Sequence, residues 1–90
     1  MNKVILDGED FTTKEELHSI LKSKLELPNY YGNNLDSLWD CLTGWIGGPV
    51  TLEWINFEKG KDNLGEYGQK LLEVFKEAQE EIDGFVLIIK

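Results

Sequence analysis

Two runs of consecutive apolar residues, one near each end of the chain, restrict its architecture more than any other feature. Lys3-Val4-Ile5-Leu6 is ended by Asp7-Gly8, and Phe85-Val86-Leu87-Ile88-Ile89 closes the sequence. Both are short, rich in β-branched residues and nearly free of apolar/polar alternation, so they read as strands covered on both faces, the pattern of a parallel sheet. Helices are therefore expected on both sides of that sheet. A third β-rich stretch, Pro49 to Trp54, contains Val50, Thr51 and Leu52 and supplies the remaining strand.

The segments between these runs carry helical periodicity. Thr13 and Glu16 have the spacing of a capping box, and Leu17, Ile20, Leu21 and Leu25 follow on one face, predicting an amphipathic helix that ends before Pro28. A second helix starts after Asn33-Asn34, either of which can cap it, and places Leu35, Leu38, Leu42 and Trp45 on a buried stripe before Gly47-Gly48 stops it. The longest helical pattern uses Tyr67, Leu71, Val74, Phe75, Ala78 and Ile82, with Asp83-Gly84 turning the chain into the last strand. Asn56 to Gly68 contains Gly60, Gly65 and Gly68 and reads as a connection with one short helical turn around Phe57. The expected fold is α/β: a three-stranded parallel sheet flanked by helices, in the order β-α-α-β-(short α)-α-β.

Ninety residues allow one domain, expected to span residues 1–90, and the 41% hydrophobic share, with three Trp, four Phe and three Tyr, suffices for a core without metals or cross-links. Seventeen acidic residues against nine basic ones leave a charge of −8, which repels phosphate backbones and anionic lipid. Nucleic acid and membranes are thus not expected partners, and a protein partner should bring a positive patch. Solubility alone also accounts for an acidic excess. Cys41 is the only cysteine, so no internal disulfide can form. With no signal-peptide layout at Met1 to Asp10 and no apolar run near the ~18 residues of a membrane span, a cytoplasmic location is expected.

The stretch from Pro28 to Trp45 is the most informative. At helical spacing Asp36, Asp40 and Thr43 share a face away from the apolar stripe, with Trp39 at its border. Asp36 lies in the first turn, where the helix dipole favours a carboxylate. Asp40 lies one turn deeper and four residues from a like charge, an arrangement costing a few tenths of a kcal/mol. A solvated helix face tolerates that cost, and a recognition surface exploits it. The adjoining loop carries paired tyrosines, Tyr30 and Tyr31, next to Gly32. Elsewhere, His18 falls on the polar side of the first helix and reads as a surface residue. Cys41 points toward the apolar half of its helix and reads as a small core side chain. Trp54 reads as core or core-edge, and Trp45 as partly exposed. Glu73, Glu77, Glu80 and Glu81 crowd the end of the last helix, either as solvated charge or as an extended negative field.

The run from Pro28 to Trp45, with its YYG, NLD and LWDCLTGW elements, resembles the barstar family of intracellular inhibitors of barnase-type ribonucleases. The likeness extends to the length, the element order, Leu52-Glu53-Trp54, Val74-Phe75 and the apolar last strand. It implies that the second helix and the loop before it enter a ribonuclease active site. Asp40 would occupy the place of a substrate phosphate, and Asp36 would pair with a neighbouring basic residue. Tyr30, Asn34, Trp39, Thr43, Gly44 and Trp45 would complete the partner-binding surface, with Glu77 as a peripheral charged contact. A barnase-like ribonuclease is the implied partner, bound 1:1 by a chain that is monomeric when free, with no cofactor, no metal and no catalytic residue. The chain departs from the family at Ile46-Gly47-Gly48, where a bulkier charged segment is usual, at Asp83, where a second cysteine is usual, and at neutral Asn29 and Asn33. The family also suggests a cis Gly48-Pro49 bond, a minority state even before proline. Two other readings stay open. One is an acidic interaction domain for a different basic protein. The other is an enzyme using Asp36 and Asp40 as an acid/base pair or as ligands of a divalent ion, for which a third oxygen ligand, a phosphate-binding loop and a nearby base are all missing.

Overall fold

A computed structural model describes residues 2–46 and 49–90. The elements are β1 (Asn2–Asp7), α1 (Lys14–Lys24), α2 (Leu35–Gly44), β2 (Val50–Ile55), α3 (Phe57–Leu64), α4 (Glu66–Glu81) and β3 (Phe85–Ile89). The sheet has the order β1-β2-β3 and both pairings are parallel. In its register Val4 lies beside Leu52 and Leu52 beside Leu87, while Leu6 lies beside Trp54. These residues share one face with Val50 and Phe85, and Leu6, Leu52 and Trp54 are completely buried there. Among the described residues no helix is long and apolar enough to cross a membrane.

The helices cover one face of the sheet, not both as the apolar runs suggested. Outward-pointing Ile5 and Val86 remain exposed, and Thr51, Ile55 and Ile88 are half-buried. At the centre of this outer face Glu53 is only 5% exposed. Lys3 and Lys90 reach it from the two edge strands, with Nζ to carboxylate distances of 3.4 and 2.6 Å. The ammonium groups hold the Glu53 carboxyl below the usual carboxylate range, Lys90 most strongly.

On α1 the Thr13 hydroxyl accepts the Glu16 N–H at 3.2 Å, as the capping spacing predicts. The return bond is displaced by one residue: the Glu16 carboxylate accepts from the Thr12 N–H and hydroxyl, both at 2.9 Å. His18, expected at the surface, is instead 1% exposed, because Tyr31 and Tyr67 close over it and bond to its two ring nitrogens. Helical spacing places His18 beside the apolar stripe, and the cover comes from residues distant in the chain.

The expected loop with one helical turn is a full eight-residue helix, α3. Gly60 lies inside it and serves contact, not breakage: a Cβ there would stand 2.8 Å from the Gly8 Cα and 3.0 Å from Phe11. The reciprocal constraint at Gly8 is tighter, since a Cβ would stand 2.1 Å from the Asn56 carbonyl oxygen. Trp54 is enclosed by this approach and packs edge-on against Phe57 and Phe75, at centroid distances of 4.7 and 6.1 Å. Gly8→Ala is expected to cost about 1–3 kcal/mol of unfolding free energy. Urea melts measure it, and an unchanged midpoint would contradict so close an approach.

Candidate protein-binding surface

Between α1 and α2 the chain is organised by its own short-range bonds. The Tyr31 N–H donates to the Pro28 carbonyl at 3.0 Å, and the Gly32 N–H to the Ser37 hydroxyl at 2.8 Å. Of the two candidate caps, Asn34 is the one used: its Oδ1 accepts the Ser37 N–H at 2.7 Å and its Nδ2 donates to the Gly32 carbonyl at 3.1 Å. Asn33 takes the left-handed conformation before it, with φ of 53°, which asparagine tolerates better than most residues. Both ends of the Asn34 amide therefore organise the loop, so this expected contact residue acts first as a cap.

Helix α2 packs against α4 and buries Leu38, Cys41 and Leu42. Burial, aided by the Asp40 charge, pushes the Cys41 thiol up and leaves it a core side chain, not a nucleophile. Asp36, Asp40, Thr43 and Gly44 are exposed and Trp39 is half-buried. Leu35 is also only half-buried, and Trp45 leaves the expected stripe altogether, being 48% exposed. The cause is that α2 ends at Gly44, so Trp45 is its C-cap. Its indole N–H donates to the Glu26 carbonyl at 3.1 Å, and its ring meets Tyr30 edge-on at 6.0 Å. Tyr30 itself is 76% exposed.

Two clefts adjoin on this surface. One, of about 350 Å³, lies between α2 and α4 and is lined by Leu35, Asp36, Trp39, Asp40, Val74 and Glu77. The other, of about 420 Å³, is lined by Tyr30, Ser37, Asp40, Cys41, Gly44 and Trp45. Asp40 borders both. Among the described residues the only salt bridges are those of Glu53, so Asp36, Asp40 and Glu77 are left without a cation of their own. A Cβ at Gly44 would meet nothing within 4 Å, so the free fold does not require glycine there. The Thr43 hydroxyl donates back to the Trp39 carbonyl at 2.9 Å, the ordinary bond of a helical threonine.

Seven of the expected surface residues, Tyr30, Asp36, Trp39, Asp40, Gly44, Trp45 and Glu77, thus line the two clefts, and Thr43 stands exposed on the same helix. Leu35, Val74 and Ser37 also line them and were not expected to; Leu35 and Val74 carried a core pattern, and only the spacing of Val74 to Glu77 on α4 hinted at a shared edge. No three His, Cys, Asp or Glu side chains among the described residues gather as a metal-binding group. Gly47 and Gly48, and with them the Gly48-Pro49 bond and much of the Ile46-Gly47-Gly48 departure, lie outside the described residues. Asn34→Ala is expected to lose about 0.5–2 kcal/mol with the cap. Asp40→Asn should leave stability unchanged or raise it by a few tenths of a kcal/mol, because it relieves a like-charge pair. Chemical denaturation of the two variants checks both signs.

The sequence is similar to known proteins along the whole chain. Over 91 residues the sequence is 55% identical to a protein of Bacillus subtilis (strain 168) named "Putative ribonuclease inhibitor YrdF", with 100% of each chain covered. Residues 1–89 match the family described as Barstar (barnase inhibitor). A match of that extent, on a parallel β1-β2-β3 sheet with an acidic second helix, places this chain in the barstar family.

Proposed function

We propose that this chain inhibits a barnase-like ribonuclease by inserting α2 and the loop before it into the enzyme's cationic active site, with Asp40 standing where a substrate phosphate would. The observation that carries this reading is the position of Asp40: exposed, without a cation of its own, and shared by two adjoining clefts. A carboxylate so placed can receive several guanidinium or ammonium groups at once and exchange water for charge-assisted hydrogen bonds. Asp36 and Glu77 flank it in the cleft between α2 and α4 and would extend the negative field to the rim, while Trp39 offers an aromatic face to a guanidinium. Tyr30 and Trp45 border the other cleft with aromatic rings of the kind that anchor protein interfaces.

The family match and the name of the Bacillus subtilis relative support ribonuclease inhibition over an enzymatic role. An acidic face of this shape would also suit another basic protein, and the relative's name is what favours a nuclease. Glu77 is a third carboxylate lining the cleft of Asp36 and Asp40, yet among the described residues the three do not gather closely enough to hold a metal ion.

Calorimetric titration against a basic microbial ribonuclease is expected to give a 1:1 complex whose association slows as salt is added. Asp40→Ala should lose about 2–5 kcal/mol of binding, the range for removing one member of a desolvated charge pair, set in part by the barnase–barstar pair itself. That is a weakening of at least about thirtyfold. Equal affinity of variant and parent would end the phosphate-mimic reading.

A further inference from the structure

Beneath the loop that carries Tyr30 lies a buried polar chain that neither the acidic surface nor the core requires. The His18 Nδ1 is 2.5 Å from the Tyr31 hydroxyl, and its Nε2 is 2.5 Å from the Tyr67 hydroxyl. His18 is 1% exposed, Tyr31 is 5% exposed and Tyr67 is half-buried. Three segments meet there: His18 belongs to α1, Tyr31 to the loop before α2, and Tyr67 to the first turn of α4. An apolar side chain at position 18 would fill the space but leave the buried Tyr31 hydroxyl without its partner. A buried polar group with its own partners instead selects one arrangement among several of similar packing energy.

Neutral imidazole has one N–H and one lone pair, so one tyrosine hydroxyl donates to it and the other accepts from it. The chain is complete with the histidine uncharged. Protonation makes both ring nitrogens donors, reverses one hydroxyl and places a charge where little compensates it. The titratable and charged groups facing the ring are Glu15 and Lys14 of α1, whose effects oppose each other, Tyr31 of the loop and Tyr67 of α4. Cys41 of α2 lies behind Tyr31, and the Lys14 Nζ stands 5.6 Å from the Tyr67 ring centre. Burial accordingly holds His18 below the ordinary histidine range and pushes both tyrosines up.

Resting on the reading of this surface as the one that binds a ribonuclease, we propose that His18 is the positioning residue of the recognition loop: by joining Tyr31 to Tyr67 it fixes the loop that presents Tyr30, and its protonation releases that loop. The sign follows from linkage. A loop opening that frees His18 restores its ordinary affinity for protons, so above about pH 6.5 opening is independent of pH. Below that value the open form takes up a proton that the closed form does not. Opening then gains up to about tenfold per pH unit until the depressed value of the closed form is reached. The surface is preorganised for a basic protein at neutral pH and loosened in acid.

Amide hydrogen exchange on the free protein tests this, read at the Tyr31 and Gly32 N–H groups. In the parent, their protection should fall between pH 7 and pH 5.5. In His18→Gln it should be lower at pH 7 and show no such fall, because nothing there titrates. Tyr67→Phe deletes one hydroxyl far from the clefts and should lower protection at pH 7 by roughly fivefold, the worth of one hydrogen bond. It therefore serves as the main test should the histidine variant fail to fold. Against a ribonuclease that the parent binds, both variants should dissociate at least about threefold faster at pH 7. Unchanged loop protection in Tyr67→Phe, a flat pH profile in the parent, or altered protection with unaltered dissociation would each overturn the proposal. Asp40→Ala is the control that separates the two ideas: it should weaken binding by at least about thirtyfold and leave loop protection intact. A parent that binds no ribonuclease defeats the partner assignment, while the exchange data still decide whether His18 holds the loop.

Discussion

The attachment of α2 through one narrow apolar stripe decides what the rest of its surface can be. A ten-residue helix is too short to persist on its own, so its conformation depends on burying Leu38, Cys41 and Leu42 against the body of the protein. Each buried leucine contributes about 1.5–3 kcal/mol, and together they fix the rotation of the helix about its axis. A turn by one residue, about 100°, would carry a carboxylate toward the core, where an unpaired charge costs several kcal/mol. The outward display of Asp36, Asp40 and Gly44 is therefore not a separate property of the helix but the other side of its burial. Capping adds to the same end, since the Asn34 bonds to Ser37 and Gly32 make the first turn of α2 and the last turn of the loop one unit.

Charge is distributed with a similar consequence. On the bare face of the sheet the one central carboxylate, Glu53, has two lysines to itself. Two other lysines stand over aromatic rings, Lys14 over Tyr67 and Lys61 over Phe57. None of these cations is turned toward Asp36 or Asp40. Among the described residues no lysine forms a salt bridge with Asp36 or Asp40, which leaves the carboxylates of α2 open to a cation from outside the molecule. A surface carboxylate already engaged by its own lysine would have to release that partner first, and the gain on binding would shrink accordingly.

Much of this was legible before any coordinates because it is local and periodic. The three strands follow from short apolar, β-rich runs, and α1, α2, α4 and the grouping of Asp36, Trp39 and Asp40 on one side of a helix from spacings of three and four residues. What escaped is set by groups far apart in the chain. His18 looked polar and outward because the tyrosines that cover it lie 13 and 49 residues away. Gly60 looked like an interruption because the backbone that demands it, around Gly8, belongs to a different turn. The uniform apolar runs of β1 and β3 suggested a two-sided sheet, since such a run does not say that one face, with Ile5 and Val86, stays exposed. Trp45 is partly exposed, as read, but falls outside the buried stripe because α2 stops one residue short of it.

Binding through a loop ordinarily costs conformational entropy, and the loop here is built so that little remains to be lost. Its backbone is tied to Pro28 and Ser37, its last residue caps a helix, and Tyr31 anchors it from below. Outside, Tyr30 rests against Trp45, whose indole is held in turn by the Glu26 carbonyl. Each of these contacts is worth little by itself, about 1 kcal/mol or less. Their value lies in removing alternatives, because a side chain and loop already in the bound arrangement subtract less from the attraction between opposite charges. An electrostatic surface therefore needs polar anchoring beneath it as much as it needs charge above. A mobile loop would leave Asp40 exposed and unpaired as before, yet the cleft around it would no longer have a defined shape for a partner to fill.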